Sequence, residues 1–543
     1  MFANKLLFFS ILILWNTNLV FAQPAQYWIK YFTNGELDYT RDLAKDNNGN
    51  YIVTGTSVVS YPGFSNYGVV TVKYDSLGNQ SWIKTKDNPN SIEDDPFQIL
   101  LDDSNNVYIF GIMAGKFFLL KYDELGNEKW YEEFSSLSNY YELTDRACID
   151  GEGNIYCAGA SEVNGRLQSF VRKYSSNGNL LWHKGFDSLS TVADYPASII
   201  FDSRDHLFLT GCSIATDTTS YHYILKLDQD GNMSWRTLLG TDTTRSFKEQ
   251  IKLIISSDME LYLLGTSSSI HSAYGRDIEI IKIDSSGNKI WENHVSGYPD
   301  YDDFPRDIIV DNNKGVYVTG SISVFYPPNM ISNLFTTAKF SDTGDSLWSK
   351  ILGQEGNYPG VGIVLNTDEN NDLYVAGGLS SEPFVAGNYD MMILKYNSDG
   401  DTIWTLRRNI YNIDDTPADL LLNATDDFTI ILTGALRYVT IRYSDNIVDV
   451  TSESPIDKFE LRQNYPNPFN PNTTINYSIP EASNVKIELY DILGNKIQLL
   501  VNEYKSAGKH SVEFNGSQLS SGIYLYRLIT DNFIQSRKMM LLK

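Results

Sequence analysis

Cysteine is nearly absent: Cys148, Cys157 and Cys212 are the only three in 543 residues, too few for disulfides to frame a fold of this size. Histidine is scarce too, and His183, His206, His222, His271, His294 and His510 show no His-Glu-x-x-His or comparable zinc spacing, so metal catalysis finds no support. Lysine and arginine number 43 against 67 aspartates and glutamates, a net charge of -24. Such a chain repels phosphate backbones, which argues against nucleic acid as a partner. After the first two dozen residues no stretch approaches about 18 uninterrupted apolar residues, so no transmembrane segment is expected in the mature chain. No Gly-rich nucleotide loop lies between a strand and a helix, and no convincing helical period appears before the C-terminal region. What abounds is Tyr (36), Phe (26) and Gly (38), against 17 Pro and 9 Met, a balance of strands and tight turns. The expected fold class is all-β.

The middle of the chain repeats. A strand ending in glycine recurs eight times, as YIVTG (51–55), VYIFG (107–111), IYCAG (155–159), LFLTG (207–211), LYLLG (261–265), VYVTG (316–320), LYVAG (373–377) and IILTG (430–434). A second strand follows each, from VKYD to a final IRYS at 441–444. Seven of these turn through Gly-Asn or Gly-Asp into a strand bearing Trp82, Trp130, Trp182, Trp235, Trp291, Trp348 or Trp404. The eighth copy has no Trp after it, but Trp28 stands ahead of the first. From Trp28 to Trp404 is seven steps over 376 residues, about 54 per repeat, which suits a four-stranded propeller blade. An eight-bladed β-propeller is expected over 23–446, its N-terminal strand completing the last blade and closing the ring. The repeats resemble bacterial β-propeller repeats of the SBBP type, a likeness that implies fold more than function.

The two ends read differently. Residues 1–22 carry one cation, Lys5, an apolar run LLFFSILIL, and small residues before Gln23, the pattern of a cleaved signal peptide. Residues 447–458 have linker character. From 459 the Trp residues stop, and YPNPFNP (465–471), TTINYSIP, VKIELYDILGNKI, AGKHSVEFNG, LSSGIYLYRL and a terminal KMMLLK follow. Short alternating runs divided by Gly, Asn and Pro predict a β-sandwich of six or seven strands. Residues 459–543 resemble the type IX secretion system C-terminal sorting domain, type A, with a FlgD-like immunoglobulin fold. That resemblance implies transit of the periplasm, export by the type IX machinery acting on this domain, and a secreted or outer-membrane-attached product.

Because the repeats share one structural task, departures from the repeat are where function is sought. The recurrent Gly-x-Ser sequences are strand ends, not hydrolase nucleophiles. The Asp-x-x-Gly-Asn turns lack the Glu that finishes a calcium loop. One departure is acid placed just before the inner strands: Asp38, Asp94, Asp95, Glu142, Asp194, Asp302, Asp303, Asp414 and Asp415. These residues either cap their own turns and bond the neighbouring blade, or form a site at the channel mouth for a basic ligand or weakly bound calcium. The other is loop length and aromatic content, at Tyr61 and Tyr67, at Tyr274, and at Phe325 and Tyr326. Aromatic rings beside carboxylates suit a glycan or a protein segment. The metal content is open, no organic cofactor is expected, and catalytic residues are not identified. Cys148 and Cys157 flank the Asp150–Asn154 hairpin; if Asp150 faces Ile155, the two cysteines face each other, either as a disulfide or as packed thiols. The leading reading is a monomeric secreted or cell-surface binding protein. A propeller lyase or glycosidase with mouth carboxylates, and a purely structural envelope component, are the alternatives.

Overall fold

The computed structural model describes residues 24–32, 39–61, 64–89, 94–135, 146–186, 191–202, 204–215, 220–242, 251–268, 275–327, 330–354, 356–409, 414–423, 427–434, 437–444, 459–464, 466–479, 483–492, 494–505, 508–530 and 533–542. The expected signal peptide and linker lie outside them. Every element among the described residues is a β-strand, and the chain divides into two units, 1–448 and 449–543. No helix among the described residues is long and apolar enough to cross a membrane.

The first unit is built of four-stranded antiparallel sets. Tyr39–Lys45, Tyr51–Tyr61, Phe64–Tyr74 and Gln80–Lys86 make one, and the same order recurs over 94–134, 147–186, 191–242, 252–295, 304–352 and 360–408. The sets over 147–186 and 191–242 also touch through a parallel bridge between Leu167 and Ala193. Asp415–Leu422, Asp427–Gly434 and Arg437–Ser444 take their fourth strand from the far end of the chain: Ala25–Phe32 pairs antiparallel with Arg437–Ser444.

The repeat chemistry explains both the hairpins and their packing. In the Asp75–Asn79 turn, the Asp75 carboxylate accepts the Leu77 and Asn79 N–H groups, while Gly78 sits at φ +80°, where a side chain would be strained. A Cβ on Gly78 would also come within 2.8 Å of the Trp28 ring. Trp28 Nε1–H donates to the Ser76 carbonyl at 3.3 Å. The same bond runs from Trp82 to Glu124 (3.1 Å), from Trp130 to Ser176 (3.0 Å), from Trp182 to Gln229 (3.0 Å) and from Trp291 to Asp342 (2.9 Å). These Trp residues thus dock on the turn of the following sheet, whereas Trp404 stacks on Phe428. The second strands are apolar on both faces because each is packed from both sides; Tyr108, Ile109, Phe110, Leu261, Leu263 and Val375 are fully buried. One core cluster joins Trp28, Leu43, Tyr51, Val53 and Tyr74 to Ala418 and Leu421, so the first and last sets share a core.

The expected face-to-face placement of Cys148 and Cys157 is corrected. Asp150 N–H bonds the Asn154 carbonyl and Gly153 N–H bonds the Asp150 carbonyl, with Gly153 at φ +79°. Asp150 therefore closes on Asn154, not on Ile155, and the register moves by one: Cys148 faces Tyr156, and Ala147 faces Cys157. Side chains alternate along a strand, so the two sulfurs lie on opposite faces, Cys157 in the core with Phe170 and Tyr174, and Cys148 against the next core. All three cysteines are free thiols.

The second unit has two antiparallel sheets. Glu460–Leu461, Asn472–Ile479 and Gly508–Asn515 form one; Lys496–Lys505, Ser483–Tyr490, Gly522–Ile529 and Ile534–Leu541 form the other. Leu461, Phe469, Ile475, Val485, Ile487, Tyr526, Met539 and Leu541 fill its core. The entry segment meets the tail: Phe469 N–H bonds the Met540 carbonyl at 2.9 Å, and Leu542 N–H bonds the Phe469 carbonyl at 3.0 Å.

Candidate functional site

The carboxylates before the inner strands are used within the fold. Asp94 accepts the Asn88 and Ala114 N–H groups at 2.8 and 3.0 Å. Asp95 takes both arms of Arg41, at 2.9 and 2.6 Å, and the Thr56 hydroxyl. Asp194 accepts Ser213 Oγ–H at 2.6 Å and faces Arg236. Asp302 is paired with Arg276 at 2.8 Å, and Asp414 accepts the Tyr389 N–H. Asp94, Asp95, Asp194, Asp303 and Asp415 are buried and turned away from solvent, and Asp95 joins neighbouring sheets through Arg41 and Thr56. Asp38, Glu142 and Tyr274, and the Tyr61 side chain, lie outside the described residues; Tyr67 is half-buried.

Asp303 shows what the bracing achieves. Its two oxygens accept Gly297 N–H at 2.6 Å and Ser323 N–H at 2.7 Å, tying the loop before one inner strand to the second strand of the same sheet. Burial raises its pKa to about 7 against the pull of these N–H groups, with the nearby Asp277 adding to the rise. The tied segments carry a run of rings. Tyr298 stacks on Phe325 with centroids 5.1 Å apart, Tyr301 lies 6.0 Å from Tyr298, and Tyr326 meets Phe384 edge-on at 6.2 Å. Tyr301 and Phe384 remain 47% and 53% exposed, unusual for rings this large. Phe384 stands at φ +62°, a conformation bulky residues avoid at a cost of the order of 1 kcal/mol or more. Its N–H is fixed to the Asn357 carbonyl at 2.7 Å. Phe325 and Tyr326, expected in a long loop, instead extend the strand Val316–Tyr326 and pair with Ile331 and Met330; Tyr298, Tyr301 and Phe384 join them from connections that carry no sequence signal.

A second group of side chains departs more sharply from the repeat. In the strand Arg276–Ile283, Glu279 occupies the position held by Val70, Phe118, Phe170, Tyr223, Thr336 and Met392 in the other sets, three residues before the recurrent Lys. It pairs across the ladder with His294, and Glu292 lies two residues before His294 on the same face. His222 reaches in from the preceding set: its Nε2 is 3.4 Å from Glu279 Oε2 and 2.8 Å from the Thr266 carbonyl, to which it donates. Burial, followed by the Glu292 charge, raises the Glu279 pKa to about 7. No spacing rule finds these ligand-type residues, because they come from three strands; comparing the repeats position by position does.

Residues 463–542 match the family described as the secretion system C-terminal sorting domain. The second unit is a type IX sorting domain. It directs the chain through the type IX system to the cell surface or to attachment at the outer membrane. No curated protein matches the chain. Among solved structures, the chain is similar to polysaccharide lyase Uly1, with a TM-score of 0.42 at 9% identity over 77% of this chain and 99% of that one. It is likewise similar to Drosophila Semaphorin 1b, extracellular domains 1-2, with a TM-score of 0.41 at 9% identity over 78% and 88%. Puromycin hydrolase gives 0.38 at 8% over 73% and 58%. These neighbours are propeller-like in fold.

Proposed function

We propose that this type IX cargo is a glycan-binding protein of the cell surface or the surrounding medium. In this reading 23–446 is an eight-bladed SBBP-type propeller closed by its N-terminal strand, and 459–543 is an immunoglobulin-like sorting module. The observation that carries the binding role is the run Tyr301, Tyr298 and Phe325 with the neighbouring pair Tyr326 and Phe384, rings gathered at the end of one strand and on the connections beside it, four of them exposed. The C–H faces of pyranose rings stack on such surfaces, and rigid aromatic side chains lose little entropy on binding. Holding Phe384 in a strained conformation makes sense where its ring has a task beyond packing.

A glycan array probed with the purified protein tests the reading, with a Tyr298→Ala/Phe325→Ala/Phe384→Ala variant as its partner. Binding by the wild type and its loss in the variant is expected. Silence of the wild type on the array, or equal binding by both proteins, would sink it.

A further inference from the structure

We propose that Glu279, Glu292 and His294 form a binding site for a divalent transition-metal ion of the zinc type, with water completing its coordination. One ligand atom from each can be chosen so that all three lie within 4.8 Å of one another. His294 Nε2 is 3.8 Å from Glu279 Oε1 and 3.7 Å from Glu292 Oε1. Ligands about 2.0–2.1 Å from a tetrahedral zinc stand roughly 3.3 Å apart, so closing the set needs only small side-chain movements.

An independent observation points to an ion. Glu279 is 1% exposed, yet neither of its carboxylate oxygens receives a hydrogen bond of ordinary geometry. A buried carboxylate held only by weak contacts with Ser267 and His222 is costly, and a dication beside it supplies the balancing charge. The fold makes room for this arrangement. Glu279 pairs with Gly265, and at the equivalent glycine of other sets, Gly111 and Gly159, the space is taken by the rings of Phe118 and Phe170. Here the His222 imidazole occupies it instead, 2.8 Å from where a Gly265 Cβ would be.

The remaining contacts assign roles. His222 gives its Nε2–H to the Thr266 carbonyl and packs 3.4 Å behind Glu279 Oε2, filling the space beside Gly265. Lys289 holds Glu292 Oε2, leaving Oε1 turned toward His294. Ser267 Oγ lies 3.0 Å from His294 Nε2, a hydrogen bond that a metal ion would replace. Glu292 and His294 are only partly buried, which gives an ion a route in from the outer strand. One imidazole with two carboxylates favours zinc-like ions over calcium, which prefers an all-oxygen shell, and over thiophilic ions.

Titration of the purified, tag-free, chelator-treated full chain with Zn²⁺ by calorimetry, and with Co²⁺ by visible absorption, tests the site. Expected are one tight equivalent, a cobalt spectrum of low-coordinate type, and affinity weakened by about 10–100-fold or more in Glu279→Gln and His294→Ala. Glu279→Gln removes a buried charge, so its metal-free melting temperature should not fall, which separates lost ligation from lost folding. Wild-type affinity no greater than that of these variants, or calcium competing as well as zinc, would overturn the proposal.

Discussion

Gly265 pairs with Glu279 across two strands of one sheet, and the His222 ring from the preceding sheet sits where a Gly265 side chain would be. A methyl group there must push the imidazole away. Gly265→Ala is expected to destabilise the protein by about 1–3 kcal/mol through overpacking. Gly185→Ala is the control, since its Cβ would meet only Gln168 Oε1, at 3.6 Å. Urea denaturation of both variants gives the comparison, and equal midpoints would show that the glycine has no such task.

Stability should decline as pH rises from about 4 to about 7. Asp303 has a folded pKa raised from 3.8 to about 7, and Glu279 one raised from 4.5 to about 7. Between the unfolded and folded values the native state binds more protons, so raising the pH favours unfolding until both groups are ionised. Denaturation midpoints of the chelator-treated protein at pH 5 and pH 7.5 measure this, and Asp303→Asn should flatten the difference. A midpoint that rises across that interval would contradict the burial of these acids.

Removal of residues 24–32 should lower the melting temperature and promote association. Without Ala25–Phe32, the strand Arg437–Ser444 loses its antiparallel partner and exposes an open edge. Calorimetry with light scattering reads both effects. A truncated protein as stable and monodisperse as the parent would refute closure by the first strand.

Deletion of residues 459–543 should leave the first unit folded and hold it in the periplasm. Because Phe469 bonds the Met540 carbonyl and Leu542 bonds back to Phe469, removing residues 538–543 alone should also impair export by loosening the sorting domain. Cell fractionation decides, and normal amounts of the full deletion at the surface or in the medium would refute dependence on the tail.

How far the sequence led depended on whether a feature was local. The Asp-x-x-Gly-Asn turns and the Gly-ended strands announced themselves because their chemistry lies within a few residues, and Trp28 was paired with the distant IRYS strand by counting repeats. The Cys148–Cys157 placement failed by a single residue, since the Gly153 bulge shortens the hairpin and inverts which face each cysteine takes. Asp95 and Asp303 were noticed as acids, but their partners Arg41 and Ser323 come from separate strands that no spacing connects. Glu279 was visible in principle as the one acid at its repeat position. Its meeting with His222 depends on packing between sheets.

Pairing the first strand with the last also sets an order of events. Ala25–Phe32 leaves the ribosome early but cannot meet Arg437–Ser444 until the intervening residues 33–436 have followed, so the slowest contact to form is the one that covers both edges. The sorting domain emerges immediately afterwards. A chain cut short anywhere in between therefore lacks its closing partner and its export address together, so incomplete copies are retained by the same defect that leaves them open.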